Sequence, residues 1–352
     1  MSQNYHEEQA KKRTLLLREK LKELPRFATE FFRGIENSTT PRTRLSYAHD
    51  FGVFFGFLAA DSQTFGGEKT VTDFEIEDLD KVTANDLEDY MEFLSYYIKK
   101  GDKTEFEISN EERGKARKLC AIRSLYTYFY KRQKVKTNPT EYINSPKLHE
   151  KAKVYLDFNE VAQLLDEVES GENLSGNAKK YHQYTKTRDL AILTLLLGTG
   201  IRISELVGLN TEHVSCENGS FMVTRKGGNA AILYFGEEVQ EALENYLDER
   251  KSIVTLAGHE DALFLSTRRR RITDRAIQNL VKKYSRLVTT LKNITPHKLR
   301  TTFGTNLYKE TGDIYLVADV LGHKDVNTTK QHYADVLGEQ GRRAARAIKL
   351  RE

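Results

Sequence analysis

From Leu190 to Leu197 the chain reads Leu-Ala-Ile-Leu-Thr-Leu-Leu-Leu, almost wholly apolar around a helix rather than along one stripe. Such a helix has no face to give to water and belongs at the centre of a domain. The pattern predicts it over Thr187 to Leu197, stopped by Gly198-Thr199-Gly200. A chain of 352 residues with 39% hydrophobic content can wrap that element in a core and build a second domain besides.

Around the central helix the second half shows further starts and stops. Asp157 with Glu160 three residues on resembles a capping box. Phe221 to Thr224 and Ala230 to Tyr234 read as two strands joined by a turn containing Gly227-Gly228. Helices follow over Thr273 to Leu287, Pro296 to Glu310 with Thr295 as cap, and Asp313 to Leu321. The first half reads as helices over Glu7 to Leu24, Thr43 to Leu58, Asp86 to Ile98 with Thr83 as cap, and Glu111 to Lys131. The aromatic stripe Tyr47, Phe51, Phe54, Phe55 and Phe57 recurs at helical spacing and reads as core.

Between Asn138 and Lys153, Pro139 and Pro146 fall among polar and basic residues without an apolar period, which reads as a connector. At ~3.3–3.6 Å per residue, a dozen extended residues run ~40 Å, enough to pass around a nucleic-acid duplex. The expected division is an N-terminal helix over 1–24, a helical domain over 25–146, a linker over 147–156 and a second domain over 157–352. The fold class is mainly α, with a small antiparallel sheet in a mixed α+β second domain.

Net charge of +4 is too small to mark a nucleic-acid binder by itself, so binding must come from local clusters. Arg268, Arg269, Arg270 and Arg271 form one. On the predicted helix ending at Lys131, Lys115, Lys118 and Arg123 face away from Leu119, Ile122, Tyr126 and Phe129, an arrangement suited to phosphate contact and equally to an ordinary amphipathic helix. Cys120 and Cys216 stand far apart without a CxxC partner, which argues against a disulfide framework or thiolate metal site and for the reducing cytoplasm. No apolar run approaches the ~18 residues of a membrane span.

Several polar residues sit where chemistry is possible. Arg202 follows the glycine turn and precedes Glu205, so its guanidinium fork can take two phosphate oxygens or simply pair with that carboxylate. His297 and Arg300 are three apart in the first turns of one helix. Lys226 lies in the hairpin turn, where a flexible ammonium can give up a proton or merely meet solvent. His323 follows a helix end, and Tyr333 lies beyond it. A phenol with a pKa near ~10 needs cations nearby to act as a nucleophile at neutral pH. Tyr308 and Tyr315 are alternatives, but neither follows Leu321-Gly322-His323.

The order and contexts of these residues resemble the tyrosine recombinase family. The resemblance is carried by Thr199-Gly200-Ile201-Arg202-Ile203-Ser204-Glu205-Leu206, Arg225-Lys226-Gly227-Gly228, Pro296-His297-Lys298-Leu299-Arg300, Leu321-Gly322-His323 and Tyr333, and spans about Asp157 to Val336. It implies a core-binding, SAM-like first domain and a catalytic second domain. It further implies that Arg202 and Arg300 clamp the scissile phosphate, His323 adds a hydrogen bond, His297 assists proton movement and Glu205 positions the arginine side. Tyr333 would form a 3′-phosphotyrosyl link while Lys226 protonates the leaving 5′ oxygen, with no cofactor and no metal.

The resemblance also implies a double-stranded DNA recombination site as partner and a homotetramer on paired sites, with a C-terminal helix over 338–350 exchanged between protomers. Position 301, often histidine in the family, is threonine here, and Tyr333 lies ten residues after His323 where many relatives have nine. The two-domain layout is similar to the Xer recombinases that resolve chromosome dimers, and length with Thr224-Arg225-Lys226-Gly227-Gly228 points to the single-protein XerS type acting with the FtsK translocase. A mobile-element integrase would carry the same residues. A type IB topoisomerase would relax DNA alone, and a non-catalytic DNA-binding regulator should lack a member of the set.

Overall fold

The structure, a computed structural model, describes residues 5–100, 104–149, 153–225, 228–323 and 326. The chain divides into two compact units between Lys151 and Ala152. Among the described residues no helix is long and apolar enough to cross a membrane.

The first unit holds α1 (Tyr5–Leu21), α2 (Arg26–Gly34), α3 (Pro41–Ala60), α4 (Ala84–Phe93), β1 (Tyr96–Lys100), β2 (Glu105–Ser109) and α5 (Glu112–Tyr130). Helix α3 starts with Pro41 in its first turn and Thr40 accepting from the Thr43 N–H at 3.2 Å. It buries Phe51, Phe54, Phe55 and Phe57 against α1, α4 and α5. Phe54 meets Tyr90 edge-on, ring centres 5.2 Å apart.

Two expectations fail in this unit. The helix predicted over Asp86 to Ile98 ends at Phe93, and Tyr96 to Lys100 pairs with β2 as an antiparallel hairpin in the register Tyr96↔Ser109. Tyr96, Tyr97 and Ile98 favour a strand once a partner is available, and Tyr97 stacks on Phe93 at 4.9 Å. The connector read from Asn138 starts later. Ile143 is part of the core, and Arg123 donates to the Ile143 carbonyl and the Ser145 hydroxyl, so these residues pack on the first unit.

The second unit holds α6 (Phe158–Ser170), α7 (Gly176–His182), α8 (Lys186–Thr199), α9 (Ile203–Gly208), β3 (Val214–Ser215), β4 (Ser220–Thr224), β5 (Ala230–Tyr234), α10 (Glu237–Lys251), α11 (Asp274–Val288), α12 (Pro296–Thr311) and α13 (Ile314–Leu321). Helix α8 is the central element, buried from Ala191 to Leu196 and packed by α6, α10 and α12. The predicted hairpin is present, extended by β3 into a three-stranded antiparallel sheet ordered β3-β4-β5. Phe221, Val223 and Leu233 point inward while Met222, Ile232 and Tyr234 face out.

Helix α10 has no counterpart among the predicted elements, because its Glu-rich sequence hides the buried set Val239, Ala242, Leu243 and Tyr246. At the start of α8, Asp189 is 1% exposed and accepts from Arg188 at 2.6 Å, Lys283 at 3.0 Å and the Tyr284 hydroxyl at 3.1 Å. That buried carboxylate ties α8 to α11, and burial with the adjacent charge pushes the Tyr284 phenol far up.

Candidate active site

The site begins where α8 stops. Gly200 closes the helix at φ +61°, donating to the Leu196 carbonyl at 3.1 Å. A Cβ there would lie 2.5 Å from the Phe303 ring and 2.9 Å from Leu321, so glycine serves both the turn and the close approach of α12 and α13. Two residues later Arg202 opens α9. Its backbone N–H donates to Glu205 Oε2 at 3.0 Å and its Nη1 to Glu205 Oε1 at 2.8 Å. Glu205 is 4% exposed, so one buried carboxylate fixes both the backbone and the guanidinium of Arg202.

Arg202 then reaches across the unit, its Nη2 donating to the Gly322 carbonyl at 3.2 Å. Arg300, on the first turns of α12, is buried and donates from Nη1 to the Gly200 carbonyl at 2.5 Å and from Nη2 to the Leu321 carbonyl. Both arginines therefore meet at the C-terminal end of α13. Helix ends carry unsatisfied carbonyls and partial negative charge, which guanidinium donors complement.

His323 is placed by the same helix end. Gly322 adopts φ +61°, its N–H donates to Asp319 O at 2.8 Å and the His323 N–H to Ala318 O at 2.9 Å. This paired closure fixes where the histidine leaves the helix. Arg225, at the end of β4, adds a third guanidinium, donating to Val320 O at 3.0 Å and Asp319 O at 3.4 Å. Arg225 stands inside a recognised motif, but only the contacts of its side chain distinguish it from an ordinary surface arginine.

His297 stands exposed in the first turn of α12, three residues before the inward-turned Arg300. Thr301, where the family often has histidine, donates its hydroxyl to the His297 carbonyl at 3.1 Å. Lys226, Tyr333 and the segment 338–350 lie outside the described residues. Of the alternative tyrosines, Tyr308 is buried against Ile314, Val317 and Leu321, and burial pushes its phenol up, opposite to what a nucleophile needs. Tyr315 is exposed at the start of α13.

The basic candidates divide by environment. Arg268, Arg269 and Arg270 are exposed on a tight loop closed by Ser266 N–H to Arg270 O at 2.7 Å, with Arg269 at φ +57°. Arg271 instead donates to the carbonyls of Val207 at 2.9 Å and Leu209 at 2.7 Å and to Asn210 Oδ1 at 2.6 Å, tying that loop to the end of α9. In the first unit, Lys115 donates to Ser95 Oγ at 2.5 Å. Lys118 is buried, donates to Asn110 Oδ1 at 2.7 Å, and burial lowers its pKa. Among the described residues no group of three or more His, Cys, Asp or Glu is placed to hold a metal ion.

Comparison with known proteins bears on the whole arrangement. Residues 154–340 match the model of the phage integrase family. The tyrosine recombinase XerC of Caldanaerobacter subterraneus subsp. tengcongensis is 34% identical over 316 residues, covering 87% of this chain and 81% of the relative. The tyrosine recombinase XerD of Oceanobacillus iheyensis is 31% identical over 300 residues, covering 85% and 89%. Among solved structures, the XerH site-specific recombinase bound to a palindromic difH substrate shares the fold at TM-score 0.59 and 18% identity, covering 87% of this chain and 79% of that one. With a family match over more than half its length and Xer relatives above 30% identity, the chain belongs to the phage integrase family, as a tyrosine recombinase of the Xer type.

Proposed function

We propose that the chain recombines DNA at a specific site through a 3′-phosphotyrosyl intermediate. The observation that carries this reading is the meeting of Arg202 and Arg300 at the helix end from which His323 departs. Guanidiniums held from behind are suited to the non-bridging oxygens of a phosphate, and His323 adds a further contact. Tyr333 Oη attacks phosphorus and the bond to the 5′ oxygen breaks. His297 assists loss of the phenol proton, and Lys226 protonates the departing oxygen. Glu205 orients Arg202. The ester keeps the bond energy, so rejoining by a 5′ hydroxyl is the same step reversed.

The partner is a double-stranded recombination site, a reading supported by the solved relative bound to its difH substrate. On it the protein acts as a homotetramer, with segment 338–350 passed between protomers. The XerC and XerD relatives favour chromosome dimer resolution in the cytoplasm over integration of a mobile element. The XerS arrangement, with FtsK as partner, rests on the Arg225-Lys226-Gly227-Gly228 stretch and the chain length.

The test is a nicked suicide duplex carrying the host's recombination site. A denaturant-stable adduct mapping to Tyr333 is expected, absent from Tyr333→Phe while that variant still binds. An adduct at wild-type level in Tyr333→Phe refutes the assignment of the nucleophile.

A further inference from the structure

The β4–β5 hairpin is fastened to a helix almost a hundred residues away by one side chain. Arg225 closes the hairpin with its backbone: its N–H donates to Asn229 O at 2.8 Å and its carbonyl accepts from Gly228 N–H at 3.0 Å. Its guanidinium leaves the hairpin and donates to the carbonyls of Val320 and Asp319 in the last turn of α13. The guanidinium also lies directly over Gly322, where an added Cβ would fall 1.7 Å from Nη1. Because the backbone bonds shape the hairpin turn and the side-chain bonds hold the helix end, movement of either element must break contacts made by the same residue.

Lys226 is the next residue in the sequence after Arg225, and His323 is the next residue after Gly322 at the helix end. We propose that Arg225 is a positioning residue for the strand-cleavage step, coupling the hairpin that carries Lys226 to the helix end that carries His323. The inference rests on the proposed role of Lys226 as the acid for the 5′ oxygen. A long ammonium on a two-stranded ribbon transfers a proton well only if the ribbon is held, because general acids act at hydrogen-bond distance. Arg225 supplies that restraint through contacts within the chain.

The test separates positioning of a proton donor from general support of the fold. Arg225→Ala and Lys226→Ala are assayed in single turnover on two suicide duplexes, one normal and one with sulfur replacing the bridging 5′ oxygen. A thiol with a pKa near ~8.5 leaves without a donated proton. Arg225→Ala is expected to slow cleavage of the normal duplex by ~10²-fold and to recover on the sulfur duplex, as Lys226→Ala should. With Lys226→Ala recovering on the sulfur duplex, equal slowing of Arg225→Ala on both duplexes overturns the proposal, as does no slowing on either.

If Lys226→Ala itself fails to recover, the acid assignment falls, and the coupling is judged by amide hydrogen exchange in folded Arg225→Ala. Faster exchange at both the hairpin end, 228–229, and the helix end, 322–323, supports the coupling. Unchanged exchange at either overturns it. Arg225→Lys, which keeps one donor to the helix end, is expected to recover part of the normal rate.

Discussion

Arg202 and Arg300 hold consecutive carbonyls: the first donates to Gly322 O and the second to Leu321 O. Both are tied to the terminal turn of the central helix, since Arg202 lies just after Gly200 and Arg300 donates to the Gly200 carbonyl. The spacing of the two guanidiniums is thus set by a single peptide unit at the end of α13 and by one glycine turn, both defined by backbone hydrogen bonds. A phosphate offered to this pair would meet donors that need little rearrangement, which is where electrostatic stabilisation is most effective.

Keeping the charge while removing the fork should therefore be damaging. Arg202→Lys and Arg300→Lys are each expected to lower the single-turnover cleavage rate by ~10²- to 10³-fold. Thermal unfolding is measured alongside, because Arg300 also satisfies buried carbonyls. A folded lysine variant cleaving at the wild-type rate would remove that arginine from the clamp.

Under the proposed mechanism Glu205 acts through Arg202, whose N–H and guanidinium it accepts from. In Glu205→Gln the amide oxygen can still accept from the Arg202 N–H, but the charged pairing with the guanidinium is lost. A charge-assisted bond contributes about 1.5–3 kcal/mol, so cleavage should fall roughly 10- to 100-fold with little change in DNA affinity. A loss of affinity with the rate intact would assign Glu205 to the fold alone.

Asp189 should matter for stability rather than chemistry. Asp189→Ala leaves the Tyr284 hydroxyl and the Lys283 ammonium without the carboxylate that joins α8 to α11. A loss of about 3–5 kcal/mol is expected for breaking a buried charged group of this kind, read from denaturant unfolding. A shift below about 0.5 kcal/mol would mean the cluster relaxes freely.

Acid should loosen the first unit through Asp78. Burial alone would raise its carboxyl, but Lys69, the Glu75 N–H and Lys81 hold it below its ordinary value of 3.8. With the folded value depressed, the contribution to stability is complete above the unfolded value and is lost as pH falls through the folded one. Asp78→Asn should flatten this part of the acid limb in a stability-versus-pH curve. An unaltered acid limb would place the proton uptake elsewhere.

What the sequence disclosed follows from how local each signal was. Asp157 with Glu160, and Thr295 ahead of Pro296, form their caps where composition placed them, because a cap is decided within four residues. The apolar run of α8 could lie only at a centre. The strand β1 was hidden because its partner, Glu105 to Ser109, lies outside any helical window around Tyr96. Basic residues were least legible. Lys118 and Arg271 look in sequence like their exposed neighbours, yet one is bonded to Asn110 inside its unit and the other to the carbonyls ending α9. The glycine turn, the two arginines, His323 and the helix ending at Leu321 are readable in the sequence, but not that both arginines bond the carbonyls at that helix end.

Helix α13 is also a ruler. Asp313 caps its start by accepting from Tyr315 and Leu316, and Gly322 closes its end. Between these stops each added residue would turn the end by about 100° and advance it about 1.5 Å. One insertion would swing the carbonyls of Asp319 to Gly322 away from Arg202, Arg225 and Arg300 together. The exposed residues of this helix, Tyr315, Leu316 and Asp319, can thus vary in identity far more freely than the helix can vary in length, and a deletion there would carry all these carbonyls away from their guanidiniums at once.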